Sequence, residues 1–209
     1  METAEVTLRS RIYAHRGCWD SMIPQNSLAS FQIASRDRFS IETDIRQLEG
    51  NLIVSHDSPK SSTPLKFLDL RELESTLAIN LKEDGLQDKI AEGRAWIEKT
   101  GSFVFDGSIP EMYRFRMMGI SHALRLSEYE KELPWMSHAI WLDSFNEDWW
   151  IKDASIQHLI ENSNTIVVSP ELHGRDPRFV WDTLAERQSD GYSNFSICTD
   201  RPREYLAWI

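Results

Sequence analysis

The sequence predicts a compact (β/α)8 barrel, a TIM barrel of the α/β class, and three observations carry that prediction. Short apolar runs alternate with longer amphipathic stretches along the chain, the pattern of parallel strands joined by crossover helices. There are eight such runs, the number that closes a barrel. Each run ends in, or runs into, a charged or amide residue, and in a barrel those positions converge on the C-terminal mouth, where active sites of this fold sit. A doubly wound open sheet is the architectural alternative. Residues 1–209 are read as a single domain, near the small end of barrel size.

In chain order, the first run spans 12–16 and closes on His15 and Arg16. A helical stretch over 27–38 leads to the second run, 40–46, which carries Glu42 and Asp44. A further run over 52–56 follows across Glu49-Gly50-Asn51, a turn that Gly50 supports, so a small β-hairpin is inserted after the second strand. A helix over 68–75 precedes the third run, 77–81, whose edge holds Asn80 and Lys82. The stretch 86–100 reads as one helix before the fourth run, 103–106, which ends in Asp106. Pro110 falls in the first turn of a helix over 110–119, where its missing N–H is tolerated, and the fifth run, 122–126, carries Arg125. The connection over 127–134 is short and holds little helix. The sixth run, 139–145, contains Trp141 and Asp143, and a helix over 148–162 follows. The seventh, 165–169, precedes Glu171, and a helix over 177–188 starts at Pro177. The eighth, 196–199, runs into Asp200, and a final short stretch, 203–208, follows it.

Composition narrows the function classes. Lys and Arg total 23 against 33 Asp and Glu, a net charge of -10, which disfavours a nucleic-acid polymer as partner while leaving room for a small phosphate held locally. No apolar run approaches the roughly 20 residues of a membrane span. Residues 1–12 lack an apolar leader core, and Cys18 and Cys198 belong to no metal or redox spacing, so the expectation is a cytoplasmic protein with reduced thiols. The eight Trp residues are read first as core packing.

Glu42 and Asp44 lie two apart on a strand and therefore share a face. Paired carboxylates on a buried face repel unless a cation lies between them, and all-oxygen ligation suits Mg2+ or Ca2+ better than zinc. The same spacing also fits ordinary surface acids on an exposed edge. His15 is followed by Arg16, and His56 stands just past the hairpin strand. Two histidines, an arginine and a metal dyad suffice for phosphoryl chemistry, with one imidazole taking a proton from the nucleophile and the other protonating the leaving oxygen. Arg16 would grip the phosphate bidentately.

The segment from Tyr13 to Pro59 resembles the glycerophosphodiester phosphodiesterases, within the phospholipase C-like phosphodiesterase barrels. The resemblance rests on His15-Arg16-Gly17, then Pro24 with Asn26-Ser27-Leu28, then Glu42-Thr43-Asp44, then 52–57, and on the closing motif Ile197-Cys198-Thr199-Asp200-Arg201-Pro202. It implies a phosphoric diester hydrolase acting on a small glycerophosphodiester-like substrate. His15 and His56 would be its acid/base pair, Arg16 its phosphate ligand, and Glu42 and Asp44 its ligands to a divalent cation, Mg2+ or Ca2+. The family's third metal carboxylate comes from a Glu-x-Lys strand. Here the stretch reads Asn80-Leu81-Lys82, so an amide replaces that glutamate while Lys82 remains to touch phosphate.

The second half departs from the usual glycerophosphodiesterase mouth. Asp106, Arg125, Trp141, Asp143 and Glu171, with Lys82, are the candidate substrate-binding residues, and His173 and Arg175 fall near the same rim. Aromatic side chains beside acids suit a sugar or a base, so a sugar-, alditol- or nucleotide-linked phosphodiester of surface-polysaccharide metabolism is the alternative substrate class. Asn80 also motivates a non-catalytic phosphate-binding barrel. A metal-dependent barrel hydrolase of C–N or C–O bonds is a further reading, against which Arg16 beside His15 argues. Oligomeric state is not legible.

Overall fold

The computed structural model describes residues 7–59, 64–192 and 194–209. Eight parallel strands follow one another around a barrel: β1 (Ile12–His15), β2 (Ser40–Leu48), β4 (Leu77–Leu81), β5 (Phe103–Phe105), β6 (Ala123–Leu126), β7 (Ala139–Leu142), β8 (Thr165–Val168) and β9 (Phe195–Thr199). The ninth, β3 (Asn51–Val54), pairs antiparallel with β2 as the expected hairpin. Its two-residue turn places Glu49 at φ 47° and Gly50 at φ 82°, the left-handed pair that a tight hairpin requires. β9 pairs with β1 through Ile12↔Ile197, Tyr13↔Cys198 and Ala14↔Thr199. The ring closes at the β5–β6 seam, where a single bridge joins Val104 to His122. This closure excludes the open doubly wound sheet.

Strand alternation sorts side chains into two cores. Tyr13, Ala78, Phe103, Phe105, Ala123, Ala139, Trp141, Ile166, Val168 and Cys198 fill the barrel interior. Their neighbours of opposite parity, including Ile12, Ala14, Ile41, Ile79, Val104, Leu124, Ile140 and Ile197, face outward onto the helical layer. One step further toward the strands' C-terminal ends, the inward positions turn polar at His15, Glu42, Asp44, Asn80, Lys82, Arg125 and Asp143. The apolar interior is thus a floor beneath a charged mouth.

The covering helices are α1 (Leu28–Arg36), α2 (Gln87–Ala91), α3 (Arg94–Thr100), α4 (Ile109–Met117), α5 (Ala154–Asn162), α6 (Arg178–Ser189) and α7 (Pro202–Trp208). Four expectations need correction. The single helix read over 86–100 is two, separated at Gly93, which precedes α3. The helix read over 148–162 starts as a 3-10 turn at Trp149–Lys152 and becomes α5 only after Asp153, whose carboxylate accepts from the N–H groups of Ser155 and Ile156 and so caps a new helix. The helix read over 68–75 is a 3-10 segment, Phe67–Glu72. The sixth run, read to 145, stops being a strand at Leu142, because the Asp143 side chain accepts from the N–H of Ser144 and turns the chain. As expected, the connection 127–134 contains no helix.

Both cysteines are free thiols, and burial pushes Cys18 up to about 11. Trp150 and Trp181 are among the largest fully buried side chains, as the packing reading of the tryptophans anticipated. Among the described residues no helix is long and apolar enough to cross a membrane.

The loop after β1 is built around Gly17 at φ 84°, packed against α1 so closely that an added Cβ would lie 2.6 Å from Ser30 Oγ and 2.8 Å from the Ser30 carbonyl carbon. Ser30 in turn closes a reciprocal capping box with Ser27 and donates to the Arg16 carbonyl at 3.1 Å. A Gly17→Ala variant meets both the clash and the left-handed backbone, and loses about 2 kcal/mol or more in urea denaturation. An unchanged midpoint would show that this contact does not constrain the loop.

Candidate active site

The mouth is organised around two buried carboxylates on β2. Glu42 is 1% exposed and Asp44 fully buried; they share a face, as their spacing predicted, and that face is the inward one. Asp44 is the better satisfied. Arg16 Nε lies 3.0 Å from its Oδ2, Asn26 Nδ2 donates to the same oxygen at 2.8 Å, and Lys82 Nζ sits 3.1 Å from Oδ1. Glu42 accepts from the backbone N–H of Arg16 at 3.2 Å, with His15 Nε2 at 3.8 Å from the same Oε2. Burial, reinforced by the charge of Asp44, pushes the Glu42 carboxyl up to about 7, against the pull of His15, Lys82 and Arg16.

Three site residues reach the mouth by leaving the ordinary backbone. Arg16, Asn26 and Asp106 adopt φ of 57°, 53° and 69°, a region that costs non-glycine residues on the order of 1 kcal/mol or more. Without that turn Arg16, the residue after inward-facing His15, would point away from the barrel axis. Asn26 lies outside the residues that sequence reasoning assigned to the site, although it belongs to the Asn26-Ser27-Leu28 motif. Its carboxamide oxygen accepts from Thr43 Oγ1 at 3.2 Å while its nitrogen serves Asp44.

His15 is held from both sides. Its Nδ1 is 2.7 Å from Asp200 Oδ1, and Trp19 Nε1 donates to its carbonyl at 3.1 Å. Burial alone would lower its pKa, but the Asp200 bond and the charges of Glu42 and Asp200 outweigh it, so the value is raised. Asp200 was visible in the sequence as the acid following the eighth run and as part of the closing motif, with no role assigned, and its partnership with His15 spans 185 positions. Glu171 accepts from the Asp200 N–H at 3.2 Å and from the hydroxyls of Thr199 and Ser169. It therefore braces the His15 support, whereas the sequence reading assigned it to substrate.

His56 stands apart from the buried cluster. The chain after β3 runs back beside β2, with the Ser55 N–H on the Asp44 carbonyl at 3.0 Å. The His56 ring is 43% exposed and its Nδ1 bonds Asp57 Oδ1 at 2.8 Å. Among the described residues no hydrogen bond or ion pair joins this imidazole to the His15–Glu42–Asp44 cluster.

The remaining candidates line the opposite wall, on β5 to β8. Arg125 donates to Asp106 Oδ1 at 2.8 Å and pairs with Glu130. Burial raises the Asp106 pKa, with Arg125 and Lys82 opposing. Asp143 Oδ1 is 2.7 Å from His173 Nε2. Trp141 lies lower, buried in the barrel interior and stacked on Phe105 with centroids 4.0 Å apart. His122 bonds the Ile120 carbonyl and accepts from Trp135 Nε1, a structural arrangement away from the mouth.

The oxygen donors at the mouth fit a hard divalent cation. Asp44 and Asn80 are register partners on β2 and β4; the buried Asn80 Oδ1 lacks a hydrogen-bond partner, and Asp44 Oδ1 is met by Lys82 Nζ in an ion pair. Among the described residues no three or more His, Cys, Asp or Glu are gathered as a metal-binding group; a cation here would have to rest on Glu42, Asp44 and the Asn80 amide and take the rest of its roughly six ligands from water and phosphate oxygens.

No protein-family model matches the chain, and no curated protein matches its sequence. Solved structures do match. A glycerophosphodiester phosphodiesterase from Agrobacterium tumefaciens superposes with a TM-score of 0.66 at 17% identity, covering 94% of this chain and 98% of its own. A candidate glycerophosphoryl diester phosphodiesterase from Silicibacter pomeroyi gives 0.54 at 11% identity over 98% and 99%.

Two predictions follow from this geometry. Millimolar Mg2+ or Ca2+ raises the Tm of the wild type and not that of Asp44→Asn, by the stabilisation that ligand binding confers; an unresponsive wild type would remove Asp44 from any metal site. Glu128, on the second wall, is partly desolvated, which would raise its pKa, yet the N–H groups of Phe145, Asn146 and Glu147 lower it below its ordinary value. A depressed carboxylate stabilises above its unfolded pKa and loses that contribution as pH falls through the folded one. The Tm gap between wild type and Glu128→Gln is therefore open at neutral pH and closes below about pH 4, and a gap independent of pH would refute the assignment. The chain shares its (β/α)8 barrel, over nearly its whole length, with solved structures named as phosphodiesterases.

Proposed function

We propose that this chain is a divergent member of the glycerophosphodiester phosphodiesterase family, a phosphoric diester hydrolase acting on a small phosphodiester. The observation that carries the reading is the juxtaposition at one mouth of an imidazole braced by Asp200 with two cationic side chains, Arg16 and Lys82, around buried carboxylates. The likeness of the whole barrel to phosphodiesterase structures supports it.

Asp200 on Nδ1 orients the His15 ring and leaves Nε2 turned toward Glu42. In the proposed reaction His15 Nε2 takes the proton of the attacking oxygen, from water or a neighbouring substrate hydroxyl, as the P–O bond forms. His56, exposed and tethered to Asp57, protonates the departing alkoxide as the second P–O bond breaks. Arg16 and Lys82, already held on Asp44, share their charge with the non-bridging phosphate oxygens. Held by Glu42, Asp44 and Asn80, Mg2+ or Ca2+ would offset charge developing on those oxygens.

The test is hydrolysis of bis-p-nitrophenyl phosphate and of glycerophosphodiesters, with EDTA and with Mg2+, Ca2+ or Mn2+. Metal-dependent turnover is expected, reduced by about 10²–10⁴ in His15→Ala, the range for a lost general acid or base, and reduced also in Asp200→Asn. Phosphate binding without turnover of any diester would instead support a binding barrel, the reading that an uncharged amide at position 80 favours.

A further inference from the structure

Around the barrel, β6 and β7 stand opposite β1 and β2. The wall they carry is built as carefully as the His15 wall, yet nothing in the chemistry above uses it. Tyr129 is 72% exposed but is pinned in place. Its hydroxyl accepts from Asn146 Nδ2 at 2.8 Å, and its ring packs 5.9 Å from that of Phe145. Glu128 clasps the backbone of the same 145–147 loop, and the other face of the arrangement is closed by His173, 4.8 Å from Phe145. An exposed aromatic ring immobilised from beneath has already lost the freedom that binding would otherwise cost.

The polar groups beside this platform are mostly acceptors. Asp106 and Asp143 each commit one carboxylate oxygen, to Arg125 and to His173 with Ser144, and no described residue bonds the other. His173 gives Nε2 to Asp143, and no hydrogen bond among the described residues reaches its Nδ1. Such a wall suits a ligand rich in donors. An anionic group would be repelled by Asp106, Asp143 and Glu130. A cationic one would meet the Arg125 guanidinium, which already lies 5.8 Å over the Phe145 ring. A nucleobase offers few donors for so many acceptors. A cyclic polyol donates from every hydroxyl and has an apolar C–H face for stacking.

We infer that the Tyr129–His173–Asp143 wall is the subsite for the alcohol side of the substrate, and that this alcohol is a neutral sugar-like ring. The inference rests on the phosphodiesterase reading and deepens it. His173 acts here in recognition, reading hydroxyls through Nδ1, and takes no part in proton transfer.

Calorimetric titration of the intact chain with glucose 1-phosphate, glycerol 3-phosphate and inorganic phosphate tests it. Wild type should bind glucose 1-phosphate about tenfold or more tightly than inorganic phosphate, the order expected of one stacked ring with a few satisfied hydrogen bonds. Tyr129→Ala, which removes an exposed side chain, and His173→Ala should each erase most of that preference and leave inorganic phosphate affinity unchanged. Equal affinity for the three compounds in wild type, or a preference that both variants retain, overturns the subsite and leaves the phosphodiesterase reading standing. If none of the three binds, the phosphate site itself fails and both readings fall together.

Discussion

Burying Glu42 and Asp44 side by side is the constraint on which this molecule's mouth depends. Two carboxylates excluded from water on one strand face are costly unless cations and donors surround them. The surroundings answer that cost residue by residue. Arg16 is bent through a left-handed backbone to reach Asp44, Lys82 reaches it from β4, and Asn26 reaches it from the loop before α1. Removing a single partner of such a buried pair typically costs about 3–5 kcal/mol, which makes this cluster a structural keystone as well as a candidate site. Glu42, with fewer donors, stays the less comfortable of the two, and its raised pKa records that imbalance.

Beneath the cluster, the barrel interior supplies rigidity. Phe103, Phe105, Trp141 and Tyr13 fill the space between strands, and the Phe105–Trp141 stack lies directly inside the ring that carries the polar layer. Side chains above a close-packed floor cannot sink to hide their charges, so they must be satisfied laterally, strand to strand. This is why the mouth reads as a chain of pairs around the ring.

The 3-10 turn Pro170–His173 ties the two walls together. Two residues apart on that turn, Glu171 faces β9 and His173 faces β7. Glu171 positions Asp200 and through it His15, while His173 locks Asp143. One short element thus braces the candidate acid/base imidazole on one wall and fixes the Asp143–His173 pair on the other. Arg175, bonded to Asp148 and to the Ser144 carbonyl at 2.8 Å each, holds the following segment against the same wall.

Much of this was legible in the linear sequence, for a definite physical reason. Strand alternation is local, so the inward parity of His15, Glu42, Asp44, Asn80 and Asp143 could be read from spacing, and eight repeats of one unit announce a closed barrel. Glycine and proline chemistry is local too, and the hairpin at Gly50 and the start of α4 near Pro110 followed from it. Where local signals competed, the reading failed: Gly93 and the capping carboxylate of Asp153 each split what periodicity joined. Only tertiary structure decided the pairings, since Asp200 meets His15, and His173 meets Asp143, through ring closure and not through proximity along the chain. It also turned Arg16 and Asp106 inward against strand alternation and left His56 at the exposed rim, because long-range charge and packing outweigh local preference by more than a left-handed residue costs.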